Sequence, residues 1–223
     1  MTFSIAARCA QTGMFGVAIA SSSPAVAARC AHARAAVGAV ATQNITDPSL
    51  GPKTLDRLAH GLDAAQALEQ TLSATAFAAY RQVVAIGRHG PPAIHSGDKA
   101  LGIVASALGN DCAAAGNLLK NSEIPAAIVA GFEAASGPFG YRLLQALRSG
   151  AARGGEAGPV RSAGLLVVRE VSWPIIDLRV DWHDEPIEAL ASLWEIYQPQ
   201  IEDYVRRAVD PAAAPAFGVP GDP

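Results

Sequence analysis

Charge is scarce in this sequence. Only 17% of its 223 residues are Asp, Glu, Lys or Arg, and 17 basic residues against 20 acidic ones leave a net charge of −3. No basic patch or arm stands out, which argues against nucleic acid or an anionic membrane surface as partner. Cysteine is scarcer still: Cys9, Cys30 and Cys112 are odd in number, and their spacing fits neither a zinc site nor a redox pair. Buried free thiols are expected. The five histidines show no ligand spacing. The chain has no long apolar run. Residues 9–28 carry no charge, but Gln11, Thr12, Ser21, Ser22, Ser23 and Pro24 break that stretch well short of a membrane span. No basic segment leads into an apolar core as in a secretory signal, so a cytoplasmic location is expected.

Small apolar residues are abundant. Half of the residues are hydrophobic, alanine recurs throughout, and there are 21 glycines. Thin packing layers and close backbone approach follow. The length suits one domain, expected over residues 1–209, with a Pro/Ala-rich and unstructured tail over 210–223.

Alternating patterns predict strands at 2–8, 15–20, 36–42, 81–87, 93–96, 102–107, 111–115, 162–168 and 175–181. Helical spacing predicts helices at 53–60, 64–72, 123–135 and 139–150, and a last one opening at Asp184-Glu185-Pro186 that Pro199 should kink. Asp63 is expected to cap the second of these. Residues 25–33 read as a short helix or an irregular crossover. Strands and helical pairs in this order do not give the strict alternation of a parallel α/β sheet. They fit an α+β fold of antiparallel sheets with helical layers, and periodicity leaves open whether there are one or two sheets.

The first strand organises the functional reading. Only Met1 precedes Thr2, and initiator methionine is usually removed before a small residue. Thr2 would then carry a hydroxyl and a free α-amine. A threonine hydroxyl needs a base to become a nucleophile. An α-amine, with a pKa of about 7.7–8.0, can act as that base directly or through one water.

The pattern resembles the domain-of-unknown-function family ten-twenty-eight, grouped with the N-terminal-nucleophile (Ntn) hydrolases. The resemblance runs through Met1-Thr2-Phe3-Ser4-Ile5, residues 16–21, residues 38–43, the Asn117 turn, residues 134–138 and 142–144, residues 162–168 and residues 177–181. It implies a four-layer αββα sandwich of two antiparallel sheets flanked by helices. It also implies amide-bond hydrolysis with Thr2 as nucleophile and no metal or cofactor. Glu156 stands where the family usually has Asp, and Arg161 where it usually has Gln.

Asn117, with nearby backbone N–H groups, is the candidate oxyanion donor; an αL turn residue beside Gly116 is the competing reading. Ser21 and Gln43 end strands expected to approach Thr2 and would orient substrate. The alternative for both is strand-end hydrogen bonding. Glu156, in the Gly-rich loop, and Ser162 are further substrate-binding candidates. Asp177, Arg179 and Asp181 share one strand face. They form either a ladder that fixes the amine or a substrate carboxylate, or a solvated ion-pair face. The expected partners are a small-molecule or peptide substrate and a second copy of the chain, since the outer face of the last helix is apolar. A non-catalytic binding or structural protein on the same scaffold is the rival reading, and a cysteine nucleophile is a third.

Overall fold

A computed structural model describes residues 1–219. Ten strands form two antiparallel sheets. In chain order the elements are β1 (Thr2–Arg8), β2 (Phe15–Ser21), α1 (Val26–Cys30), β3 (Ala31–Arg34), β4 (Gly38–Gln43), α2 (Leu50–Ala59) and α3 (Ala64–Ser73). Next come β5 (Gln82–Gly87), β6 (Ala93–Ser96), β7 (Ala105–Leu108), β8 (Cys112–Asn117), α4 (Ile124–Ala134) and α5 (Phe139–Ala152). The last are β9 (Ser162–Val168), β10 (Ile176–Val180), α6 (Pro186–Tyr197) and α7 (Ile201–Val209). One sheet has the order β10-β9-β2-β1-β8-β7 and the other β3-β4-β5-β6.

Side-chain alternation assigns the layers. Phe3, Ile5 and Ala7 point from β1 into an apolar cluster with Ile128 of α4, Leu143 and Leu147 of α5, and Leu190 of α6. Ala6 points the other way and joins Val17, Ile19, Ala39, Ala41, Val84, Ile86, Ala113 and Ala115 between the sheets. Val40, Val83 and Ala85 leave the second sheet on its far side, toward Leu55, Leu58 and Leu68 of α2 and α3. The result is a four-layer αββα sandwich, which decides the question that periodicity left open. Strands covered on both faces lose polar alternation, so β2, β4 and β8 read as runs of small apolar residues. Gly16 shows how tight the helix–sheet contact is: a Cβ there would lie 2.7 Å from Leu143 Cδ1 and 2.9 Å from the Leu166 carbonyl oxygen.

The differences from expectation have local causes. Strand β3 is short, polar and half-exposed at a sheet edge, so no apolar period announces it. Helix α2 begins at Leu50, upstream of Pro52, because first-turn N–H groups have no intrahelical partner for proline to remove. Pro199 does more than bend the last helix: a 3₁₀ turn over Gln198–Gln200 separates α6 from α7. Asp184 does not cap α6; its carboxylate pairs with Arg161 instead. Asp63 caps α3 in a full capping box with Gln66, as expected. In the tail, Pro211–Ala213 forms a 3₁₀ turn, and Arg207 reaches back to the Pro215 and Ala216 carbonyls. Residues 220–223 of that expected tail lie outside the described residues.

Candidate active site

Thr2 lies at the head of β1, with Ser21 of β2 and Asn117 of β8 as its cross-strand partners. On a pleated strand Thr2, Ser4 and Ala6 share one face, and that face looks between the sheets. The Ser4 hydroxyl reaches β4 there, donating to Gln43 Oε1 at 2.7 Å. The inter-sheet layer is therefore apolar along most of its length and polar at one end. Thr2, Ser4, Ser21, Gln43, Gln82 and Asn117 make up that end, and all are buried.

The Thr2 hydroxyl is held from two sides. It lies 3.2 Å from Ser21 Oγ and donates to the Met1 carbonyl oxygen at 2.5 Å. Ser21 Oγ donates to the same carbonyl oxygen at 2.5 Å and accepts from the Ser23 N–H at 3.1 Å. Met1 thus covers the hydroxyl, with its thioether tip against Gly158.

Glu156 comes to the same end. It makes an isolated β-bridge with Leu119, just beyond β8, and is almost fully buried. Both carboxylate oxygens accept from the Ser22 N–H, at 3.2 and 3.0 Å. Burial pushes its carboxyl up to about 7, against the opposing pull of the chain's N-terminal ammonium and the Ser22 N–H. Between about pH 4.5 and pH 7 the folded protein therefore holds a proton on Glu156 that the unfolded chain has released. Stability is expected to fall as pH rises from the ordinary carboxylate range to about 7, by on the order of 3 kcal/mol in total. Glu156→Gln should flatten that slope. Denaturant midpoints at pH 5 and pH 7.5 check it, and an unchanged slope would remove Glu156 as the cause.

The remaining candidates divide. Ser162 is buried on β9, where its hydroxyl donates to the Ser23 carbonyl at 2.6 Å and accepts from the Val26 N–H at 3.2 Å. Those two bonds fix the loop after β2 and leave Ser162 a supporting part. Gln43 is likewise occupied at both ends of its amide, by Ser4 and by Gln82. Asn117 is the last residue of β8 and has extended pairing. The αL conformation falls on Leu118, at φ 51°, which corrects the turn reading of Asn117. Asp177 and Arg179 are not brought to this end. They lie on β10, the edge strand three places from β1, exposed and paired with each other at 2.7 and 2.8 Å. They form the solvated ion-pair face, because the edge of the sheet leaves that side of β10 in water.

Sequence reasoning missed Gln82. Its amide meets Gln43, Asn117, Ser96 and the Gly116 carbonyl. The signal was its parity: Gln82, Val84 and Ile86 share the inward face of β5, and Gln82 pairs in register with Gln43.

The three cysteines are free and buried. Burial raises the Cys30 thiol and pushes Cys112 up to about 12. Both should resist thiol reagents in the native protein at pH 8 and react once it is unfolded. Fast native labelling of either would reopen the cysteine-nucleophile reading.

The family model described as "Family of unknown function (DUF1028)" matches residues 2–190. The chain belongs to the DUF1028 family. A crystal structure from the same family, protein SPO2555 from Silicibacter pomeroyi, is 30% identical over 92% of this chain and 90% of its own, with a TM-score of 0.84. Anbu (ancestral beta-subunit) from Yersinia bercovieri is 12% identical over 92% of this chain and 97% of its own, with a TM-score of 0.42, a likeness too slight to argue from. No curated protein matches the sequence. No helix among the described residues of this DUF1028 protein is long and apolar enough to cross a membrane.

Proposed function

We propose that this DUF1028 protein is an Ntn-type amidohydrolase whose nucleophile is Thr2 after removal of Met1. The observation that carries the reading is the Thr2 hydroxyl itself. It is a buried hydroxyl at the head of the first strand, on the face between the sheets and bonded to Ser21, with the Glu156 carboxyl held on the adjacent Ser22 N–H. In this reading the Thr2 oxygen adds to a substrate carbonyl carbon, and its proton passes to the α-amine of the same residue. Backbone N–H groups stabilise the tetrahedral oxygen. Collapse breaks the C–N bond, and the departing nitrogen takes the proton back. Water then cleaves the acyl ester on Thr2 by the same route.

A second reading keeps Met1 and makes the protein a binding or structural module. It is favoured by the way the Met1 carbonyl occupies both the Thr2 and Ser21 hydroxyls. A screen of amides and lactams with protein that starts at Thr2, run beside Thr2→Ala, separates the two. Turnover that depends on Thr2 supports the hydrolase; no turnover on any member supports the binding module. The homodimer remains a proposal, resting on Leu193 and Ile196 exposed on α6. Elution at monomer size in gel filtration would dismiss it.

A further inference from the structure

The buried amides between the sheets have a fixed polarity. Gln82 lies 3.1 Å from the Gly116 carbonyl oxygen, which can only accept, so the Gln82 atom facing it must be Nε2. Gln82 Oε1 then faces the other way and accepts from Gln43 Nε2 at 2.7 Å and from Asn117 Nδ2 at 3.1 Å. One backbone carbonyl thus dictates the orientation of three carboxamides. It also dictates what Asn117 has left over. Asn117 is fully buried, one N–H of its Nδ2 goes to Gln82 Oε1, and its Oδ1 has no partner among the described residues. A buried acceptor without a donor is rare and costly in a finished structure. The second Nδ2 N–H leaves the donor role open, and Oδ1 adds an acceptor that the site has still to satisfy.

Thr2 is placed to supply the missing donor. Asn117 is the direct cross-strand partner of Thr2 on the same face, which places their Cβ atoms about 5 Å apart. Loss of Met1 removes the carbonyl that the Thr2 and Ser21 hydroxyls use, and turns the Thr2 nitrogen from an amide into an amine with additional N–H donors. Those donors arise in a buried site one strand away from an orphaned acceptor.

We propose that Gln82 is a positioning residue that locks the Asn117 carboxamide with Oδ1 toward Thr2, where it accepts a hydrogen bond from the released α-amine. The amine is thereby held with its lone pair free for the Thr2 hydroxyl. The proposal rests on the reading that the working chain starts at Thr2, but it does not require that any substrate be known.

The test uses full-length chain that starts at Thr2, prepared by cleaving an N-terminal fusion directly before that residue. The pH dependence of N-terminal acetylation by acetic anhydride, read by mass spectrometry, gives the midpoint of the amine. Glu156, the carboxyl that interacts with the chain start, is common to all samples, so differences report the amides. Gln82→Met keeps the volume but frees the Asn117 amide, and the midpoint should move down by about one pH unit. Asn117→Asp places a charge at the acceptor position, and the midpoint should move up by about one unit or more. If Gln82→Met does not fold, Asn117→Asp decides alone. Midpoints equal to wild type in the folded variants would overturn the proposal. Shifted midpoints without hydrolysis in the substrate screen would leave the positioning role standing and remove the hydrolase. Hydrolysis with unmoved midpoints would do the reverse.

Discussion

Thr2→Ala, in protein that starts at residue 2, is expected to lower turnover of any amide the wild type cleaves by about 10³ or more. Loss of a nucleophile removes the covalent route and leaves only binding and oxyanion stabilisation. The fold should survive the change. Thr2 pairs through its backbone with both β2 and β8, and alanine keeps those ladders. The hydroxyl's bonds to Ser21 and Met1 are the local loss, and the Met1 bond is already gone in processed chain. A stability cost of about 1 kcal/mol follows. Thr2→Ser restores a hydroxyl and should recover measurable turnover. Steady-state rates with matched unfolding curves make the comparison, and an alanine variant as fast as wild type would rule out Thr2 as nucleophile.

Phe3→Ala should give the largest loss of stability, about 3–5 kcal/mol. Phe3 is the neighbour of Thr2 on the opposite face of β1 and is fully buried. Its ring lies against α5 and the loop after it: a Cβ at Gly150 would lie 3.4 Å from Phe3 Cδ2, and one at Gly155 would lie 3.6 Å from Cε1. The same ring pins the head of β1 under α4 and α5, so the variant should lose the geometry at Thr2 together with its stability. Equilibrium urea unfolding measures the cost, and a loss below 1 kcal/mol would mean that the head of β1 is anchored elsewhere.

Much of the fold was legible because it depends on period. Residues 2–8 alternate, and the alternation assigns Phe3, Ile5 and Ala7 to one layer and Ser4 and Ala6 to the other, as the structure shows. Helices α3, α4 and α5 carry their apolar faces in the sequence, and Asp63 marks the start of α3. Strand β3 was illegible because it is held by one neighbour at an edge and buries little. The number of sheets was illegible because an all-apolar strand looks the same whether its second cover is a helix or another sheet.

The site was legible where a residue sits at the end of a buried strand. Thr2, Ser21, Gln43 and Asn117 do, and they meet. Asp177 and Arg179 alternate just as cleanly, but alternation does not say whether the polar face looks into a cleft or into water. Gln82 went unread because its role is a hydrogen-bond hub across four strands, and local pattern does not contain that long-range register.

A nucleophilic Thr2 requires one chemical event at the chain start, and intact mass of protein purified from cells without any N-terminal addition tests it directly. A mass lighter by one methionine residue, with N-terminal sequencing that begins at Thr2-Phe3-Ser4, is the expected result. A chain that keeps Met1 throughout would leave the Thr2 hydroxyl bonded to a peptide carbonyl with no amine beside it, and would contradict the account.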